Sequence, residues 1–252
     1  MTPGEFRQMA ALMRRHFWFR GTRRVILDWA RSVGEGDLES RYVADIGCGT
    51  GPTLDWLREI PSVVGVDLSP VALGLAQEAT EANLVRGNAC ALPLANESMD
   101  MILALDMFEH LESPEDAASE IFRTLKPGGW LVSTVPAWPF LASQHDVALG
   151  HYRRYRRPGF RSLLENAGFS VDRVSYYNFF LFPAVAGIRL IRSESVTLDP
   201  SKEQPDVESD LKPMPAFMNR MLEELLASEK YLLRLMDLPF GVSLIARAQR
   251  PE

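Results

Sequence analysis

Cysteine is scarce in this chain: Cys48 and Cys90 are the two among 252 residues. They form no Cys-x-x-Cys pair and sit in no Cys/His cluster. That excludes the common zinc motifs and a disulfide framework, and it fits a reducing cytosol. Long apolar runs are missing too. The longest, "FFLFPAVAGI" at 179–188, falls far short of the roughly 20 residues needed to cross a bilayer. The opening "MTPGEFRQMAALMRRHFWFR" scatters charge along its length and offers no secretory apolar segment. A soluble, cytoplasmic protein is expected. Nor is there an excess of positive charge. The formal net charge is −6, which argues against nucleic acid as a partner, because such binding rests on neutralising phosphates.

What the chain has in quantity is alternation. After a helical stretch over the first 40 residues, "YVADIG", "SVVGVDLS", "LVRGN", "MDMILALDM" and "WLVSTVP" read as short, buried strands. Between them, "TLDWLREI", "PVALGLAQEATEA" and "PEDAASEIFRTL" read as helices, the second with Pro70 in its first turn and Ser69 as N-cap. This alternation predicts βαβ units and a parallel sheet covered on both faces. A helix at "PGFRSLLENAGF", a strand at "SVDRVSYY" and a last strand at "GVSLIARAQ" follow. The segment 194–215 is acidic and proline-rich and reads as a surface loop or a lid. "FMNRMLEELLASEKYLLRLM" after it predicts an amphipathic helix, with Phe217, Met221, Leu225, Leu232 and Met236 on one face. That stripe and "YYNFFLFPAVAGIRLI" suit a core or pocket wall, a contact in a homodimer, or a surface resting on a membrane.

The chemistry concentrates in "VADIGCGTG", residues 43–51. In an open α/β sheet, ligands bind beyond the carboxyl ends of the strands, where bare glycines let the backbone come close. Gly47, Gly49 and Gly51 supply that approach, and Asp67, ending the next strand, can accept from both hydroxyls of a ribose. The spacing differs from the dinucleotide pattern, and Asp45 stands two residues before the first glycine. A carboxylate repels a pyrophosphate and attracts a cationic amino-acid end. That favours S-adenosylmethionine over a nicotinamide cofactor.

With "VVGVDLSP" (63–70), "GNACALPLANESMDMILALDMFEHL" (87–111) and "LKPGGWL" (125–131), these residues make the chain resemble the class I S-adenosylmethionine-dependent methyltransferases, in their small-molecule subgroup. The resemblance implies a Rossmann-like α/β fold: a seven-stranded, mostly parallel sheet with an antiparallel last strand, helices on both faces, and a helical insertion before that strand. One domain is expected, with a helical cap (1–40), a cofactor core (41–177), a helical substrate or lid insertion (178–240) and the last strand (241–250). By resemblance, Gly47, Cys48, Gly49 and Gly51 cradle the methionine part, Asp45 faces its amino end, and Asp67 holds the ribose. Leu68 and Ala89 border the adenine, Asn88 stands where relatives carry an acid for its amino group, and Leu105 and Asp106 reach the donor methyl. Arg20, with Phe19 as a wall, is placed to meet the methionine carboxylate.

For the acceptor, His110, His145, Asp146 and His151 are candidates for proton handling, since imidazole titrates near neutral pH. Arg153 and Arg154, with Tyr155 interleaved, suit an anionic group on the substrate. Asp106 and Asp146 form no recognisable ligand set, so no metal is expected. The expected activity is methyl transfer to an oxygen of a small or carrier-linked acceptor, by a monomer or homodimer. The alternative is a non-catalytic S-adenosylmethionine-binding protein of the same fold.

Overall fold

The computed structural model describes residues 3–34, 40–192, 198 and 214–252. The acidic segment read as a loop or lid therefore falls almost wholly outside the described residues. Seven strands form one sheet: β1 (Val43–Ile46), β2 (Val63–Asp67), β3 (Asn83–Arg86), β4 (Met99–Leu105), β5 (Leu125–Pro136), β6 (Ser170–Tyr177) and β7 (Ser243–Gln249). Their order is β3-β2-β1-β4-β5-β7-β6, with β7 antiparallel to both neighbours and every other pairing parallel. This is the expected Rossmann-like sheet. Every residue of β1 is buried, as a parallel strand covered on both faces requires.

The order of the strands places the site. From β1 the chain steps outward to β2 and β3, then returns to lay β4 on the other side of β1. The connections after β1 and β4 therefore diverge, and a crevice opens at the carboxyl ends of these two strands.

Around the sheet lie α1 (Pro3–Arg15), α2 (Phe17–Arg31), α3 (Pro70–Gln77), α4 (Pro114–Thr124), α5 (Gln144–Ala148), α6 (Arg157–Asn166), α7 (Phe182–Arg192) and α8 (Ala216–Leu235). Two sequence expectations need correction. The helix anticipated at 53–60 is a single 3-10 turn, Leu54–Leu57. Pro52 and Pro61 pen the segment in, and the residue before a proline is pushed out of helical geometry. Beside this short turn a cavity of about 720 Å3 is lined by Leu54, Arg58, Ile60 and Thr80, among others, and by none of the predicted site residues.

The second correction concerns α8. Its buried side chains are Glu223, Leu226, Ala227, Glu229 and Leu233, while Phe217, Met221, Leu225 and Met236 are exposed. The reason is its neighbour α2. A Cβ on Gly21 would lie 2.7 Å from the Leu226 Cβ, so the helices cross with almost no space between them. Arg20 Nε then meets Glu223 Oε2 at 2.7 Å and Arg24 Nη1 meets Glu224 Oε1 at 2.7 Å. Close backbone approach and ion pairs choose the buried face, and the apolar stripe is left outward. Among the described residues, no helix is long and apolar enough to cross a membrane.

Candidate functional site

The backbone itself marks the working edge of the sheet. Gly47, Gly49 and Gly51, just past β1, all have positive φ. Among the described residues four non-glycine residues share that region, and three of them, Asp106, Trp138 and Asn178, follow β4, β5 and β6 at the same carboxyl edge. Such geometry costs about 1–3 kcal/mol per residue, and it gathers where a site over-determines the chain.

At the glycine turn, Gly47 N–H and Cys48 N–H both donate to the Val66 carbonyl, at 2.8 and 3.1 Å, which binds the turn to β2. Asp67 closes it from the other side: Oδ2 accepts from Gly49 N at 2.9 Å and Oδ1 from Ser69 N at 2.8 Å. Each carboxylate oxygen keeps a further lone pair for a ligand. Leu68, 61% exposed, offers an apolar surface beside it. Asn88 is exposed, and its side-chain oxygen already accepts from Cys90 N at 3.0 Å. Ala89 and Leu105 pack against the core at the margins of the crevice. Burial pushes the Cys48 thiol far up, so it stays a protonated packing group.

Asp45 is 2% exposed, and its Oδ2 has no hydrogen-bond partner among the described residues. Burial raises its carboxyl to about 7, against the pull of the Arg23 charge and with a smaller push from Asp67. Arg23, not Arg20, is the arginine beside it. Burial lowers the Arg23 guanidinium to about 10, while Asp45, Asp106 and Asp55 hold it up. Arg20, assigned by sequence to the cofactor, is paired with Glu223 on α8. Phe19 lies under the Arg23 guanidinium, 5.9 Å from it.

Asp106 anchors the far side. Its N–H donates to the Thr134 carbonyl at 3.0 Å, and Thr134 Oγ1 donates to its Oδ1 at 3.0 Å. It touches solvent, yet surrounding protein raises its carboxyl by desolvation, against the Thr134 hydrogen bond and the charges of His151, Arg154 and Arg23. A group both wet and crowded is a group in a cleft.

The segment 151–155 is stitched along this cleft. Tyr155 N donates to Pro136 O at 2.9 Å, Trp138 N to Tyr155 O at 2.8 Å, and Tyr152 N to Glu109 O at 2.7 Å. Buried His151 thereby reaches Asp146, with Nδ1 and Oδ1 3.0 Å apart. Arg154 Nε donates to the same oxygen at 2.9 Å, and Ser143 N and Oγ donate to Oδ2 at 2.8 and 2.9 Å. Burial works against the ionised Asp146, but the His151 hydrogen bond and Arg154 outweigh it and hold the carboxyl well below the usual range. His110 meets the His151 ring edge to face at 4.6 Å. His110 reaches solvent at its edge, yet crowding by surrounding protein, then the neighbouring His151, lowers it to about 4. Of the sequence candidates, His110, Asp146 and His151 thus come together beside Asp106. His145 lies on α5, next to Asp146 in the chain.

The arginines read as anion binders are at least partly engaged, though Arg153 Nε is buried with no partner among the described residues. Arg154 holds Asp146 and the Ala137 carbonyl. Arg153 donates to the Glu112 carbonyl at 2.9 Å, and Tyr155 donates to that of Phe108 at 3.2 Å. Sequence reasoning missed Glu109, buried in the turn Phe108–His110, whose carboxyl burial and Asp106 push well up. The aromatic stretch read as a pocket wall stands at the same edge, joined there by Trp138 and Phe240, which the sequence reading did not assign to it. Trp138 stacks on Tyr176 at 4.8 Å, and Phe182 and Phe179 pack on Phe240 at 5.2 and 4.7 Å.

Residues 44–133 match a sequence model of the methyltransferase domain family. A Mycolicibacterium smegmatis protein named "Probable S-adenosylmethionine-dependent methyltransferase" is 28% identical over 170 residues, 66% of this chain and 64% of that protein. The chain spans slightly under two thirds of the length of the first curated relatives it matches. In structure, the Haloferax volcanii chain solved in complex with the Trm112 methyltransferase activator is similar at a TM-score of 0.63 and 19% identity, over 99% of this chain and 95% of that one. Phosphoethanolamine N-methyltransferase 2 of Haemonchus contortus, solved with S-adenosyl-L-methionine, gives a TM-score of 0.57 and 19% identity, over 90% of this chain and 52% of that one. Over residues 44–133 the chain thus carries a methyltransferase domain by sequence, and it is similar to S-adenosylmethionine-dependent methyltransferases beyond it. The cofactor to test against the site is therefore S-adenosylmethionine.

The residues present fit that cofactor. A Cβ built on Gly49 meets nothing within 4 Å, which leaves open space above the turn. The unpartnered oxygens of Asp45 and Thr50 suit the polar amino-acid end, and the Asp67 carboxylate suits a diol. A pH dependence follows. With its carboxyl near 7 in the free protein, Asp45 is largely neutral at pH 6 and ionised at pH 8. A cationic ligand favours the ionised form, so calorimetry should show the Kd rising as pH falls from about 7 to 5, by up to about tenfold per unit. Asp45→Asn should flatten that slope and bind more weakly at pH 8.

Proposed function

We propose that this chain transfers a methyl group from S-adenosylmethionine to an oxygen atom of a small or carrier-linked acceptor with an apolar body. The observation that carries the reading is one of placement. The glycine turn, Asp106, the Asp146–His151–His110 cluster and the aromatic wall all stand at one edge of the sheet.

On the cofactor side, Gly47, Cys48, Gly49 and Gly51 would admit the methionine part, with Asp45 and Arg23 facing its charged end. Asp67 would take the ribose, with Leu68, Asn88 and Ala89 around the adenine. When bound, S-adenosylmethionine supplies a methyl carbon already activated by a sulfonium, so positioning of the nucleophile contributes much of the rate. Leu105 and Asp106 would form the floor at that carbon. Trp138, Tyr176 and Phe182 would hold the acceptor's apolar body, and its nucleophilic oxygen would lie beside His110 and His151. A hydroxyl must also lose its proton, and the polar cluster is where that charge would be handled. Asp146 is a positioning residue, since it acts through His151. An anionic group on the acceptor would meet Arg156, whose guanidinium lies 5.9 Å over the Trp138 ring, in preference to the committed Arg154.

Incubation with the methyl donor and a fractionated metabolite extract, read by mass spectrometry, tests the proposal. A species heavier by one methylene, whose new methyl is on oxygen, is the expected product. A methylated amine, or no product from any fraction while the cofactor binds, would contradict it.

A further inference from the structure

Three side chains on the acceptor side converge in a way the family cofactor does not require. Glu109 and His110 share the 3-10 turn after β4, and His151 arrives from beyond α5. One nitrogen of each imidazole and one carboxylate oxygen all lie within 4.8 Å of one another. We propose that Glu109, His110 and His151 bind one divalent first-row transition cation, with its remaining coordination positions open toward the acceptor.

Each ligand is already prepared. Asp146 occupies Nδ1 of His151, so in the neutral ring the hydrogen falls on Nδ1 and Nε2 carries a lone pair. A carboxylate behind an imidazole in this way is the usual support of a metal-bound histidine. The His110 ring N–H donates toward the backbone carbonyls of Leu149 and Gly150, which steadies the ring in the same manner. Glu109 is 1% exposed, and its Oε2 has no partner among the described residues. A buried carboxylate oxygen without a donor is costly, and a cation removes the cost. Two imidazoles and a carboxylate select zinc, manganese, iron(II) or cobalt over magnesium and calcium, which take oxygen shells. A cation holding its ligands at about 2.0–2.2 Å asks these atoms to close by roughly an ångström, and His110, being exposed, has room to turn.

This inference rests on the reading of the acceptor side given above: the cation would take an acceptor oxygen as a ligand and hold it beside Asp106. It also changes the expectation of no metal, which came from considering Asp106 and Asp146.

The test uses the full chain, stripped with EDTA and titrated with cobalt(II) chloride while visible absorption and bound metal are measured. One equivalent of cobalt with d–d bands is expected. His110→Ala, at an exposed position, and the isosteric Glu109→Gln should each weaken cobalt binding at least about tenfold, with S-adenosylmethionine binding unchanged by thermal shift. Asp67→Ala should do the reverse, losing the cofactor and keeping the cobalt, so failure of either site is told apart. No cobalt bound, or the same bands and affinity in His110→Ala and Glu109→Gln, would overturn the site.

Discussion

Asp67→Ala should lower the affinity for S-adenosylmethionine by about 100-fold or more, because on the proposed reading it removes two charge-assisted hydrogen bonds to the ribose, each worth about 1.5–3 kcal/mol. The same carboxylate holds the amides of Gly49 and Ser69, so part of the loss would come from a loosened turn. Gly49→Val separates the two effects. Its Cβ has open space around it and clashes with nothing, which limits the folding cost to a β-branched residue at φ 54, about 1–2 kcal/mol. The variant should therefore fold and yet fail to bind, since its side chain fills the volume the ligand needs. Calorimetric titration at pH 8 measures both. Wild-type affinity in Gly49→Val would remove the cofactor from this turn.

The second large effect concerns turnover rather than binding. His151→Asn should cut kcat by about 100- to 10,000-fold, with the affinity for S-adenosylmethionine within about twofold of wild type. Folding should survive, because Asp146 retains Ser143 and Arg154 as partners. Asp146→Asn should behave differently. It leaves the Arg154 charge, only 10% exposed at its side chain, without a counter-ion in a buried setting, a loss of about 3–5 kcal/mol. Activity and Tm should fall together in that variant, whereas in His151→Asn only activity falls. Equal kcat in His151→Asn and wild type would take the acceptor away from this cluster.

The glycine turn and the acid that closes it were legible in the sequence because their signals are local. A glycine run after a β-branched stretch, and an acid closing the next one, each fall within a few residues. The rest depended on which way elements face. Arg20 and Arg23 are three apart on α2, and both had the right charge. Arg23 keeps step with Phe19, Ile26 and Ala30, so it enters the protein, while Arg20 turns to Glu223. A cation in step with an apolar stripe was the available clue. In α8 the same logic misled, because the close crossing at Gly21 buries glutamates and leaves methionines outside. Nothing local in the chain marks Glu109 as buried. The segment it meets is distant in sequence: Tyr152 N donates to the Glu109 backbone carbonyl.

The measurement that bears most directly on the central claim is a thermal-shift titration with S-adenosylmethionine, S-adenosylhomocysteine and NAD in parallel. At about 100 times the Kd, a ligand adds roughly 2.7 kcal/mol to the folded state, which for a chain of this size raises Tm by about 5–10 °C. Both sulfur ligands should give that shift, and NAD should give none. Stabilisation by NAD alone, or no shift with either sulfur ligand, would contradict the cofactor site at Asp45, Gly49 and Asp67.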